Sequence, residues 1–190
     1  NQKNDLSQQT VIGITMGDPA GIGPEIIVKA LDDHNIRKSA KFIIFGMHEQ
    51  LEYAADKAEI IPFWKRYHYE QITRDFPAKV MLLDYDQFHI LPWLKGASKA
   101  SGQSSLKFCL DAIQAALNHT IDAVVTGPIN KTCWKMAGAQ WPGHTELFAE
   151  KTKSPRKAMM FLAGDLKLAL ATIHEPLFEV RHKFTIGCVF

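Results

Sequence analysis

The sequence predicts an α/β protein built on a mostly parallel sheet with flanking helices. Two observations carry the prediction. Short, continuous apolar runs recur along the first 126 residues, the pattern of strands covered on both faces. Segments with helical spacing separate these runs, and such alternation argues for parallel strands joined by helical crossovers.

Val11–Met16 reads as the first strand. It enters Gly17-Asp18-Pro19-Ala20-Gly21-Ile22-Gly23-Pro24-Glu25, after which Ile26, Ile27, Ala30 and Leu31 give a helical face. Pro24 suits a first helical turn, and Glu25 suits the positive end of the helix dipole. The glycine spacing is GxxxGxG, neither the dinucleotide fingerprint nor a Walker A loop. Phe42–Gly46 is a second strand, His48–Lys57 a helix and Val80–Leu83 a third strand. Ile60–Tyr69 lacks a clear period and is read as irregular structure with room for a short strand. The long connection from Asp84 to Gly102 is of the kind that covers something or carries function. Ser104 or Ser105 is expected to cap a helix whose apolar face is Leu106, Cys109, Leu110, Ile113 and Leu117. Cys109 on that face reads as a core thiol. Ala123-Val124-Val125 is expected to be a strand buried on both faces, ending at Thr126-Gly127-Pro128 and a polar turn, Asn130-Lys131-Thr132. Beyond it lie a turn at Pro142–Glu146, a short helix over Leu147–Lys151, and two apolar runs around Ala163-Gly164-Asp165 that look like a β-hairpin.

Composition narrows the function. Hydrophobic residues make up 46% and charged residues 22% of the 190, ordinary values for a globular protein. A net charge of +2 is too mild for a nucleic-acid footprint, and the densest basic stretch, Lys65–Tyr69, reads as a solvated face. Cys109, Cys133 and Cys188 form no CxxC pair, so a disulfide framework or structural zinc is not expected, and a reducing cytoplasm fits. The first ten residues carry no apolar signal region, and no run is long enough to cross a bilayer.

The chemistry concentrates in Asp122–Glu146. Ligands of open α/β sheets gather at the carboxyl ends of strands. Lys131, His144 and Thr145, on loops after such a strand, make a plausible site for a small anion, although two ordinary solvated turns would read the same way. His174, just past a strand end and followed by Glu175-Pro176, can ligate a metal or exchange protons. A single backbone hydrogen bond at a strand end is the commoner use of such a histidine. The other histidines form no ligand spacing.

Five strings occur in order: TMGDPAGIGPE (15–25), SGQ (101–103), TGPINK (126–131), PGHTE (142–146) and LALATIHEPL (168–177). Together they resemble the 4-hydroxythreonine-4-phosphate dehydrogenase family of vitamin B6 biosynthesis, from residue 11 to about residue 180. The first loop is similar to that of isocitrate and isopropylmalate dehydrogenases, whose fold the family shares. The resemblance implies a cytoplasmic homodimer with a cleft between two domains, here 1–125 and the opening of a second over 126–190. It implies oxidation of 4-phosphohydroxy-L-threonine by NAD or NADP, followed by loss of carbon dioxide to an amino-ketone phosphate. A divalent metal (zinc, magnesium or cobalt) would hold the substrate oxygens. By motif match His144 and Thr145 would contact the phosphorylated hydroxy-acid substrate, and His174 would be one of three metal-binding histidines. Lys131 and Asp18 would shape the loops or the cleft; no catalytic residue or nicotinamide contact is assigned.

Members of the family are longer, and their remaining metal histidines match nothing here. Residues 181–190 do not resemble the family. These observations lead to the expectation of a C-terminally truncated, inactive partial copy. A dehydrogenase of threonate or erythronate 4-phosphate, or a non-catalytic fragment that binds a phosphorylated metabolite, would use the same loops. Uncovered apolar surface near Phe161, Leu170 and Phe184 should drive self-association. Light scattering of the purified chain should therefore report oligomers, and a compact monomer would contradict the expectation.

Overall fold

The computed structural model describes residues 9–154 and 157–188. The chain divides into two compact units, Asn1–Phe148 and Ala149–Phe190. The elements run, in order, β1 (Val11–Thr15), α1 (Gly23–Asp32), α2 (His34–Ser39), β2 (Lys41–Gly46), α3 (His48–Ala58), β3 (Lys65–His68), β4 (Val80–Asp84), α4 (Lys99–Leu117), β5 (Ala123–Thr126), α5 (Lys131–Met136), α6 (His144–Lys151), β6 (Met159–Ala163), β7 (Leu166–Leu170) and α7 (Val180–Lys183).

Five strands of the first unit form one sheet in the order β3-β4-β2-β1-β5. Every neighbouring pair is parallel, as the apolar runs and their helical separators require. All five residues of β4 are buried, as are Phe42–Gly46 of β2, so both faces of the sheet centre are covered. Each large apolar side chain removed from water there contributes roughly 1.5–3 kcal/mol.

The strand expected to be buried on both faces, β5, is a sheet edge. Among the described residues it pairs only with β1, and Val125 is 52% exposed, because apolar composition marks a strand without revealing its position in the sheet. The Ile60–Tyr69 stretch contains the opposite edge, β3. Its basic character serves an ion pair: Arg66 donates to the buried carboxylate of Asp84 through Nε at 2.7 Å and an Nη at 2.6 Å.

Helix α4 starts earlier than expected. Ser98 caps it, its Oγ accepting from the Ser101 amide at 3.0 Å. Ser104 and Ser105 lie inside the helix and donate back to the carbonyls of Ser101 and Gly102, the use a buried helical serine makes of its hydroxyl. Phe108, Ala112 and Ala115 join the large core cluster under the sheet, whereas Cys109 and Ile113 join a second one with Trp134 and Leu147. Leu117, expected on the apolar face, is exposed. Cys109 is the core thiol anticipated, and burial pushes its pKa up to about 12.

The polar turn at Asn130–Thr132 is a helix start. Asn130 Oδ1 accepts from the amides of Thr132 and Cys133 at 3.0 and 3.2 Å, opening α5. Helix α5 lies so close to α4 that a Cβ on Gly102 would sit 1.9 Å from the Cys133 carbonyl oxygen. In the second unit, β6 and β7 form the antiparallel hairpin foreseen, turning at Gly164-Asp165 with Gly164 at φ 58°. Nearly every residue of both strands is exposed, Phe161 to 53%.

Gly102→Ala should therefore force α4 and α5 apart, costing about 1–3 kcal/mol. Urea unfolding should show a lowered midpoint, whereas Gln103→Ala, exposed on the same helix, should shift stability by less than about 0.5 kcal/mol.

Candidate functional site

Strand order sets where a ligand can enter. From β1 the chain goes to β2 on one side, and later returns to β1's other side as β5. Loops leaving the carboxyl ends of β1 and β5 thus diverge at a topological switch point, the usual crevice for ligands in an open parallel sheet.

The two loops are laced together by backbone. Gly127 N donates to Thr15 O at 2.8 Å, and Asp18 N donates to Pro128 O at 2.9 Å. Gly17 makes the approach possible: its φ is 75°, and a Cβ there would lie 2.3 Å from Pro128 O. Asp18 is buried and turned into its own loop, Oδ1 accepting from the Ala20 amide at 3.0 Å. Its Oδ2 lies 3.8 Å from the Cys133 Sγ, whose thiol points at the carboxylate. Burial, with the Asp18 charge adding to it, raises the Cys133 pKa. Asp18 and Cys133 thus hold loop to helix, and Asp18 also forms part of the wall of a depression outside them.

What faces outward is a shallow depression bounded by Gly21, Ile22, Pro128, Asn130 and Lys131. Lys131, exposed at the start of α5, carries its Cε to 3.8 Å from where a Cβ on Gly143 would stand. The next residue, His144, opens α6. Its ring meets Trp134 edge-on at 5.6 Å and Phe148 at 6.3 Å between centroids. Trp134 is itself fixed by its Nε1, which donates to Ser105 Oγ at 2.8 Å. The aromatic setting desolvates the imidazole and lowers its pKa, favouring the neutral form. His144 Nε2 is buried and has no hydrogen-bond partner among the described residues. Thr145 follows, exposed, on the first turn of α6. The fold therefore brings Lys131 beside Gly143, with His144 and Thr145 following on the first turn of α6.

His174 belongs to the second unit. It follows β7, is exposed and takes the left-handed conformation, φ 56°. Among the described residues no three His, Cys, Asp or Glu side chains are grouped to hold a metal ion. The donors in these residues do not by themselves fit the three-ligand metal site that the motif match implied.

The wall behind His144, Trp134, is not found by reading the sequence, because Asn130–Thr132 looks like a turn rather than the start of α5. The signal is nevertheless present: Asn130 followed by Cys133 and Trp134 at N3 and N4 is a capped amphipathic start.

The fold and site define a parallel α/β protein whose ligand loops meet at the switch point beside β1. The chain belongs to the family described as Pyridoxal phosphate biosynthetic protein PdxA, which residues 38–189 match, so residues 181–189, expected to lie outside the resemblance, fall within it. It is 36% identical over 178 residues to a 4-hydroxythreonine-4-phosphate dehydrogenase of Desulforapulum autotrophicum, covering 90% of this chain and 50% of that protein. It is 31% identical to a D-threonate 4-phosphate dehydrogenase of Cupriavidus necator, covering 94% and 54%. The crystal structure of a 4-hydroxythreonine-4-phosphate dehydrogenase from Burkholderia phymatum superposes with a TM-score of 0.83 at 28% identity, covering 95% of this chain and 55% of that one. The chain thus spans about half the length of the relatives it matches. None of its described helices is long and apolar enough to cross a membrane.

The lowered pKa of His144 has a signed consequence. The unfolded chain binds the proton more readily, so this histidine's share of stability is present above the ordinary imidazole range, near 6.5, and is lost as pH falls through it. NMR titration should give His144 a midpoint below that of the same residue in urea-unfolded protein. In His144→Phe, the loss of stability between about pH 7 and pH 5 should be smaller.

Proposed function

We propose that these residues form part of the active site of a nicotinamide-dependent dehydrogenase acting on 4-phosphohydroxy-L-threonine. The observation that carries this reading is the meeting of Lys131 with the Gly143–Thr145 turn at the carboxyl edge of the sheet. The Desulforapulum autotrophicum and Cupriavidus necator relatives supply the substrate class: both carry names that specify a four-carbon hydroxy acid bearing a 4-phosphate.

In this reading the Lys131 ammonium attracts the anionic substrate, and Thr145 offers it a hydroxyl. The neutral His144 ring offers Nε2, which has no partner among the described residues, to a substrate hydroxyl or amine. Hydride leaves the carbinol carbon and the hydroxyl loses its proton, giving a β-keto acid that releases carbon dioxide to leave an amino-ketone phosphate. NAD or NADP, when bound, supplies the hydride acceptor. His174 is proposed as one ligand of a divalent metal whose remaining ligands lie outside the described residues, in an enzyme that works as a cytoplasmic homodimer. A 190-residue chain with so few of these groups is proposed to bind substrate without turning it over. A second reading, dehydrogenation of D-threonate 4-phosphate, rests on the Cupriavidus necator relative.

Calorimetry of the purified chain with each phosphorylated acid tests both. Binding of 4-phosphohydroxy-L-threonine should weaken roughly tenfold or more in Lys131→Ala, the scale of one lost charge-assisted hydrogen bond. Mixed with NAD and divalent metal, the chain should produce no NADH. Preference for D-threonate 4-phosphate would favour the second reading; binding of neither would remove both.

A further inference from the structure

A second cavity lies on the other side of the β1–α1 loop, between α1, α3 and the loop that follows β4. It encloses about 280 Å³. Three lysines line it, Lys29 from α1, Lys57 from α3 and Lys95 from the loop, against one carboxylate, Glu25. Lys29 pairs with Glu25 at 2.6 Å. All three ammonium groups act on that carboxylate and hold its pKa below the usual range, Lys29 most strongly. Lys57 Nζ also stands 4.9 Å from the centre of the Tyr53 ring, and neither Lys57 nor Lys95 forms an ion pair among the described residues. The cavity is left with two positive charges in excess. The first turn of α1 contributes further, since Ile22 at its cap offers no side-chain acceptor to the free amides.

An independent observation comes from Gln50. It lines the cavity, is 2% exposed, and donates Nε2 to the Ile90 carbonyl of the covering loop at 2.5 Å. That bond fixes which end of the amide is which, because a carbonyl accepts only from the nitrogen. The other end, Oε1, is a buried acceptor with no partner among the described residues. A buried acceptor left unpaired carries a desolvation penalty that a ligand hydroxyl or amine can relieve.

We propose that this cavity binds a small phosphate monoester bearing a hydroxyl or amino group, at a site separate from the Lys131–His144 turn. The phosphate sits among Lys29, Lys57 and Lys95, and the donor end reaches Gln50. The apolar remainder of the wall, largely proline and alanine, suits a compact carbon skeleton rather than a second anionic group.

Inorganic phosphate and glycerol 3-phosphate, titrated into the labelled chain and followed by amide NMR, test the proposal. Saturable shifts are expected in residues 21–29 and 50–58, with glycerol 3-phosphate the tighter of the two. Lys57 and Lys95 are both exposed, so the double variant Lys57→Ala, Lys95→Ala should fold normally, and it should weaken binding about tenfold or more. Lys131→Ala should leave these shifts unchanged. Gln50→Leu should abolish the advantage of glycerol 3-phosphate over phosphate; if that variant does not fold, the lysine pair decides. The proposal is overturned if chloride at equal ionic strength reproduces the shifts, if the lysine pair has no effect, or if the shifts map to Lys131 and His144.

Discussion

The contact on which the functional end of the first unit rests is a backbone one. Two loops from neighbouring parallel strands exchange amide–carbonyl bonds through Gly127 and Asp18, at a separation only glycine allows at position 17. Parallel strands hold each other in register along their length but leave their ends free to splay. These bonds continue the ladder past the last residue of β1, so the start of α1 and the start of α5 are positioned by the same sheet that forms the core. Cys133 and Asp18 then tie helix to loop from beneath. A side chain such as Lys131 inherits this precision although it is itself exposed.

A second layer of support lies under His144. Trp134 is immobilised by Ser105, and Ser105 sits on α4, which Gly102 lets approach α5 to within backbone contact. Gly102 of the string SGQ thus sets the approach of α5, while Ser105, one turn on, holds the indole that backs the PGHTE turn. The histidine's protonation is set by this packing, with burial as the cause that lowers its pKa.

The sheet and its helices were legible because buried parallel strands are apolar without interruption, and β2 and β4 satisfy that rule at nearly every residue. Strand order was not legible: Ala123-Val124-Val125 looks like a central strand, yet it forms an edge. The error at α4 has a physical source as well. Serine is favoured at helix caps, but a small residue is equally required where two helices touch, and Ser98, Ser101, Ser104 and Ser105 divide between those uses. Of the candidate site, His144, Thr145 and Lys131 are proposed from their strings and their place after a strand, and the structure sets Lys131 beside Gly143. The lysine cavity was not legible, because Lys29, Lys57 and Lys95 lie far apart in sequence and only the packing of α1 on α3 gathers them.

The two buried thiols have an implication for how this protein ages and how its motions can be timed. Cys109 and Cys133 are fully enclosed, and burial holds both in the protonated, unreactive form. Oxidants and alkylating reagents therefore reach them only when the seam between α4, α5 and β1 parts. The rate at which each sulfur is modified is a clock for that parting, and air exposure should spare them for as long as the seam stays shut.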